Sequence, residues 1–158
     1  MAAPTPTARA TPSGIPLKDG YQTLITIASD TDISFWEKTV TPPGIEGGER
    51  VEQTTMHNTT WLTFRPQELA DLTECTIVAA YDPDAYDEIL AVLNVETTIT
   101  VTFPDGSTLA FFGYLRTFTP SENARGSQPE ATIVIGPTNW DSSNNVEAGP
   151  AMAEVEGT

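Results

Sequence analysis

The stretch that decides the fold is Glu96-Thr97-Thr98-Ile99-Thr100-Val101-Thr102-Phe103, followed by Pro104-Asp105-Gly106-Ser107 and the run from Thr108 to Thr119. In an extended chain Ile99, Val101 and Phe103 fall on one face, and Thr98, Thr100 and Thr102 on the other. That alternation describes a strand with one face in a core and one polar face presented to something else. Pro-Asp-Gly-Ser is turn chemistry, so residues 96–119 are expected to form a β-hairpin. No set of catalytic groups accompanies the pattern, which points to a building block before it points to an enzyme.

Working outward, Tyr21–Ala28 is expected to be a strand with Tyr21, Thr23, Ile25 and Ile27 on one face. A second strand, Ile33–Val40, puts Ile33 and Phe35 on one side and Trp36 and Val40 on the other, after the turn Ser29-Asp30-Thr31-Asp32. Glu74–Tyr81 predicts a buried strand, and Ala131–Gly136 a closing one after the polar loop Pro120–Pro129. Between them lies a short helix, 83–93. Asp82 suits its N-cap and Pro83 its first position. Asp84, Asp87 and Glu88 sit where the helix dipole favours negative charge. Ala85, Ile89 and Leu93 form a stripe with Tyr86 and Leu90 beside it, so one face should pack on the sheet. Six or seven strands with one helix make the expected class mainly β (α+β), a β-sandwich or partial barrel.

The chain has 158 residues, the size of one domain that needs neither metal nor disulfide to hold its core. Its twenty-five threonines favour strands, because β-branched side chains fit a pleated surface. Residues 1–18, rich in Ala, Pro and Thr, and 138–158, dominated by Ser, Asn, Gly, Glu and Ala, read as flexible arms around a domain at 19–137. The segment 41–73 stands apart. Two prolines and three glycines in Thr41–Gly48 speak against regular structure there, and Arg50–Met56 is polar and β-prone. The only core-like patch is Trp61-Leu62-Thr63-Phe64. A segment that long is expected to be an interaction loop that orders on assembly; the competing reading has Trp61 and Phe64 cover one end of the sheet.

Seven basic against twenty-two acidic residues give a net charge of −15, which disfavours a free duplex-binding role. The balance suits solubility, and equally a surface past which a polyanion moves without sticking. Cys75, the only cysteine, lies in an apolar run and reads as a small buried hydrophobe with no disulfide. Met1–Thr7 lacks the charged start and apolar core of a signal peptide. No apolar stretch approaches the roughly 20 residues of a membrane span. A soluble protein made in a cytoplasm is expected.

The search for chemistry yields nothing. His57 is the only histidine, so a zinc site would need mostly carboxylates, and no Gly-x-Ser-x-Gly elbow exists to serve a triad. Asp82 and Asp84 are explained by the helix start and lack calcium-loop spacing. Gly44-Ile45-Glu46-Gly47-Gly48 carries acids where a phosphate loop needs a Lys. Asn58-Thr59-Thr60 matches a glycosylation sequon, which carries no meaning without secretion. No catalytic residue, metal or cofactor is expected.

The run Gly44-Ile45-Glu46-Gly47-Gly48-Glu49-Arg50-Val51-Glu52-Gln53-Thr54-Thr55-Met56-His57-Asn58 resembles the long loop of major tail tube proteins of long-tailed (siphovirus-type) bacteriophages. Tyr81-Asp82-Pro83, Phe103-Pro104-Asp105-Gly106-Ser107, Phe111-Phe112-Gly113-Tyr114-Leu115 and Thr132-Ile133-Val134-Ile135-Gly136-Pro137-Thr138 follow in that family's order. The resemblance spans about residues 15–140. It implies a structural virion protein whose hexameric rings stack into a hollow tube, with DNA passing through the lumen unbound. Implied partners are further copies of the chain and the tape-measure, tail terminator and tail tip proteins, with no membrane. The virion's tail would be assembled in the cytoplasm of a bacterial host. The long loop bridges subunits and rings in that family, which makes Ile45, Glu46, Arg50, Glu52, Trp61 and Phe64 interface candidates. Terminal arms help stacking, and lumens are commonly acidic. Thr98, Thr100 and Thr102 are candidates for a lumen-facing surface, as in large wet barrels. Two alternatives remain: a monomeric β-sandwich binding module with a groove at Trp36, Trp61 or Trp140, and the tube protein of a contractile secretion system.

Overall fold

The computed structural model describes residues 23–28, 35–81, 83 and 86–154. The expected N-terminal arm at 1–18, the turn at 29–32, the Asp82 cap and the last residues, 155–158, lie outside that set. In chain order the elements are β1 (Leu24–Ile27), β2 (Trp36–Thr41), β3 (Ile45–Glu46), β4 (Arg50–Glu52), β5 (Phe64–Pro66), β6 (Asp71–Leu72), β7 (Cys75–Ala80), α1 (Tyr86–Val92), β8 (Thr97–Thr102), β9 (Thr108–Pro120), β10 (Glu130–Pro137), β11 (Trp140–Asp141), β12 (Val146–Glu147) and β13 (Ala151–Ala153).

The threonine alternation produces the hairpin it describes. Ile99 and Val101 are 0% exposed, while Thr98, Thr100 and Thr102 lie half-buried on the opposite face. Its turn closes where Gly106 N–H donates to the Phe103 carbonyl at 2.9 Å. Gly106 has φ +90°, a left-handed conformation that glycine tolerates without strain. The Asp105 carboxylate accepts from Ser107 N–H at 2.9 Å and from its hydroxyl at 2.6 Å, which orders the turn.

The main sheet runs β1-β8-β9-β10-β7-β2, with β13 added beside β9. Its pairings are all antiparallel. The two ends of this path meet: Ile25 N–H of β1 donates to Glu37 Oε1 of β2 at 3.0 Å. A sheet whose first and last strands touch has curled, so this is a partial barrel with the apolar face inside. Ile25, Ile27, Phe35, Ile77, Ile99, Val101, Phe111, Leu115, Ile133 and Ile135 form the interior. Each such side chain contributes about 1.5–3 kcal/mol by burial.

β9 is the spine. Its first half pairs with β8 and β13, its second half with β10. Gly113 sits at the changeover, where a Cβ would come within 2.8 Å of the Gly136 carbonyl. Two bulges punctuate the ladders, one at Lys38 in β2 and one at Arg116 in β9. Both extra residues are cations turned out of the pleat, and both are closed by an acid: Lys38 with Glu130 at 2.6 Å, and Arg116 with Glu74.

Three expectations are corrected. Trp36 and Val40 do not share a face, because the Lys38 bulge shifts the phase. Trp36 is 70% exposed while Val40 packs against the core. The helix ends at Val92 and not at 93; Ile89 and Val92 are buried and Leu93 packs against the core, with Tyr86 and Leu90 about half exposed. Leu93 has already left it to pair with Leu115, and Asn94 at φ +61° ends the turn. Residues 138–154 are ordered where a flexible arm was expected. β11 pairs with β12, and β13 covers the edge that β9 would expose beyond the end of β10.

Candidate interaction surface

Segment 41–73 is an ordered antiparallel arm, so the expectation of irregular structure over Thr41–Gly48 fails at Ile45–Glu46. At its base Gly44 N–H donates to the Thr73 hydroxyl at 2.7 Å, and Thr73 N–H returns to the Gly44 carbonyl at 2.9 Å. Ile45 then faces Leu72, and Glu46 faces Asp71. The strands draw close at Gly48, where a Cβ would lie 2.3 Å from that of Gln67, so no larger residue fits this backbone. Beyond it Arg50, Val51 and Glu52 pair with Pro66, Arg65 and Phe64.

The tip is built around Asn58. Its amide oxygen accepts from Thr55 N–H at 2.9 Å, and its nitrogen donates to the Trp61 carbonyl at 3.0 Å and the Thr63 hydroxyl at 3.3 Å. Thr63 N–H donates in turn to the Thr54 hydroxyl at 3.0 Å. Read from sequence, Asn58 is only part of a sequon; its usable signal is an Asn three residues after Thr55 in a polar turn.

The structure therefore divides the interface candidates. Ile45 and Glu46 sit at the arm's base, while Arg50, Glu52, Trp61 and Phe64 belong to its outer half. The Arg50 guanidinium lies 4.2 Å from the centre of the Phe64 ring, a cation–π contact. Trp61 is 80% exposed, so it does not cover the end of the sheet. Exposed apolar side chains are thus concentrated on the arm.

A groove of about 520 Å³ runs between the arm's base and the ordered C-terminal segment. Ile45, Leu69 and Trp140 supply its apolar surface, and Glu68, Asp71 and Glu147 its charge. Asn139, at φ +53°, ties the two sides by donating to Asp71 Oδ1 at 2.8 Å. Above the groove, the turn between β11 and β12 is held by Asp141. Its carboxyl is kept below the usual aspartate range, first by the Asn144 side chain and then by the backbone N–H groups of Asn144 and Ser143.

The third surface is the outer face of the curled sheet. Across the ladders Thr26 meets Thr100, Thr102 meets Thr108 and Thr132 meets Thr119, so the three threonines expected on a polar face lie within a broad hydroxyl-bearing sheet. Cys75 is sealed inside, its thiol pushed up to about 12 by burial. Among the described residues no cluster of three His, Cys, Asp or Glu side chains could hold a metal, and no helix is long and apolar enough to cross a membrane.

No family model matches this chain, and no curated protein matches its sequence. Its fold, in contrast, matches solved structures over most of its length. A chain of the virion of a native gene transfer agent particle aligns with TM-score 0.60 at 9% identity, covering 87% of this chain and 100% of that one. A chain of an extracellular contractile injection system, the PVC sheath-tube complex in its extended state, aligns with TM-score 0.60 at 17% identity over 97% and 100%. A third, from the six-fold symmetrised baseplate of the anti-feeding prophage, has TM-score 0.57 at 8% identity over 83% and 90%. The mainly β class with one helix, expected from the alternation, is thus the fold of chains found in tail particles and injection systems.

Proposed function

We propose that this chain is a structural tube subunit of a phage-type tail: copies of it close into hexameric rings, and the rings stack into a hollow conduit for DNA. The observation that carries the reading is the likeness of fold, over most of the chain, to chains of such particles, one of them described with six-fold symmetry. Its supports are physical. Among the described residues, Trp61, Leu62 and Ile45 of the ordered arm are left bare. A threonine-rich face, carrying Thr98, Thr100 and Thr102, suits a wet wall past which a polyanion slides. A net charge of −15 weakens retention of DNA. In this reading the arm residues Ile45, Glu46, Arg50, Glu52, Trp61 and Phe64 join subunits and rings. The terminal segments assist stacking, and tape-measure, terminator and tip proteins are the remaining partners. Assembly takes place in the host cytoplasm and the product resides in the virion.

A second reading shares the architecture: the tube of a contractile injection system. The likeness to the PVC chain, over 97% of this sequence, favours it as much as the first. Negative-stain electron microscopy of the concentrated protein tests both against a monomeric binding module with a tryptophan-lined groove. Rings or hollow tubes are the expected result. A monodisperse monomer, also after addition of a tail-tip complex as nucleator, overturns it. Neighbouring genes separate the two tubes: terminase and capsid genes mark the phage tail, spike and ATPase genes the injection system.

A further inference from the structure

We propose that the acid-rimmed groove at the base of the arm is the receptor for the outer half of the same arm on a second copy of the chain. The inference rests on the reading that copies assemble, and adds which surfaces meet.

The two surfaces are complementary in both apolarity and charge. Ile45, Leu69 and Trp140 leave the groove an apolar lining, the first two 73% and 83% exposed. Its charged lining residues are all acidic: Glu68, Asp71 and Glu147. The outer arm offers Val51, Trp61 and Leu62 together with Arg50 and Arg65, which stand beside its own acids Glu49 and Glu52. Cations are scarce in this chain, and their placement is informative. Among the described residues Lys38 and Arg116 are already closed by Glu130 and Glu74, and Arg125 sits in the loop between β9 and β10. Arg65 comes no nearer than 4.0 Å to Glu68, with both side chains mostly exposed, and Arg50 rests on a ring. The arm therefore holds cations with spare hydrogen-bonding capacity, and the groove holds carboxylates without a cation lining it.

An arm cannot fill its own groove. The groove's wall is the base of that arm. From there the Glu49–Gln67 hydrogen bond, the β4–β5 ladder and the Gln53–Thr63 bond carry the outer half away as one ribbon. The arm that fills it in this proposal therefore belongs to another copy. Because donor and receptor are different patches, the contact is heterologous and repeats from copy to copy, closing a ring or continuing as a stack. The receptor is also preformed. Leu72 is buried in the core, Asn139 ties Asp71, Ala148 N–H donates to the Asn139 carbonyl at 3.0 Å, and Thr138 donates to Glu96 at 3.0 Å. Little ordering entropy is then lost on docking. This gives the ordered C-terminal segment, which the sequence reads as a loose arm, a purpose.

Cysteine cross-linking between full-length single variants tests the proposal. Leu62→Cys places a thiol on the outer arm, and Gly149→Cys places one in the groove, where a Cβ meets nothing within 4 Å. The native Cys75, fully buried, stays silent toward maleimides. A short bis-maleimide should link the mixed variants pairwise into covalent dimers, and leave either variant alone uncross-linked. Tubes without cross-links overturn the groove while the tube reading survives. Cross-links without tubes do the reverse, and the loss of both overturns both. Charge reversal supplies a second arm. Arg65→Glu should raise the concentration needed for assembly about tenfold, near 1.4 kcal/mol. Adding Glu147→Arg to the same chain should restore it. Equal, additive losses from the two changes would overturn the pairing.

Discussion

Strand β7 and the arm that precedes it are both antiparallel ladders, yet they are held together in opposite ways. In β7 every second residue is sealed: Cys75 and Ile77 are 0% exposed and Ala79 2%, with β10 on one side and β2 on the other. In the arm every residue of β4 and β5 is exposed, and neither strand has a second neighbour. A lone two-stranded ribbon is marginal in water. What orders this one is local: a close approach at Gly48, the ring contact of Arg50, and a tip knotted through Asn58. The comparison teaches that stability and contact surface are separated along the chain. The sheet buries its apolar residues and holds the fold, while the arm leaves them bare.

The sharpest way to break that division is to remove the arm. Glu46 and Asp71 face each other, so replacing residues 47–70 by Asn-Gly closes a two-residue hairpin on the existing pair. The shortened chain should unfold in urea at an unchanged midpoint and form no tubes at all. A stability loss above about 1 kcal/mol, far beyond a surface change, would place the arm inside the folding unit. Tubes of normal appearance would remove it from assembly.

The converse change belongs in the sheet. Phe111 is 1% exposed in the first half of the spine strand. Phe111→Ala should cost about 3–5 kcal/mol, the loss of burial plus a cavity. Trp61→Ala, on a side chain 80% exposed, should leave the urea midpoint within about 0.5 kcal/mol of the parent and weaken assembly instead. If Trp61→Ala destabilised the monomer as Phe111→Ala does, the contrast between the two regions would collapse.

The same division explains what could be read from the sequence. The sheet is legible because burial on one face writes a period of two in Ile99/Val101 against Thr98/Thr100, and because Cys75–Ala80 forms a short apolar run. The hairpin turn was legible from Pro104-Asp105-Gly106. The phase of β2 was not, because a single bulge at Lys38 leaves no periodic trace and moves Val40 to the other face. The arm's ladder was hidden because both its faces are wet, so Arg50-Val51-Glu52 obeys no burial pattern. Strands β11 to β13 were missed for the same reason; their order comes from Asx turns and from the spare edge of β9. The resemblance makes six arm residues interface candidates, but only the structure separates Ile45 at the base from Trp61 near the tip. Asn58, Leu69 and Glu147 carried no signal strong enough to be chosen.

A smaller test probes how the arm keeps its shape. Asn58→Ala removes the bonds to Thr55, Trp61 and Thr63 together. At about 0.5–1.5 kcal/mol for each hydrogen bond, the tip should open locally. Amide exchange at Thr55 and Thr63 should quicken several-fold while the urea midpoint stays in place. Unchanged exchange would mean that the ribbon's backbone alone sets the tip.

The smallest expected effect concerns the far side of the groove, where the arm's base meets the C-terminal segment. Asp141 is held ionised by donors from Asn144 and Ser143, which lowers its pKa. A carboxyl whose folded value is depressed adds stability that is fully present above the unfolded aspartate value and fades as pH falls through the folded one. The turn between β11 and β12 should therefore be firm at neutral pH and loosen only in strong acid. Trp140 and Glu147, which line the groove, sit on those two strands, so the loosening should spread to them and stop short of the buried sheet. Acid titration followed by the amide resonances of Ser143 and Asn144 reads the first step, and Trp140 fluorescence the second. In Asp141→Asn the amide shifts should lose their acid step, while Ile77 and Ile133 keep their exchange protection in both proteins. If the core strands lost protection in the same pH interval as the turn, the groove would be part of the cooperative fold. The separation between a sheet that holds and a surface that engages would then end at the arm and exclude the segment beside it.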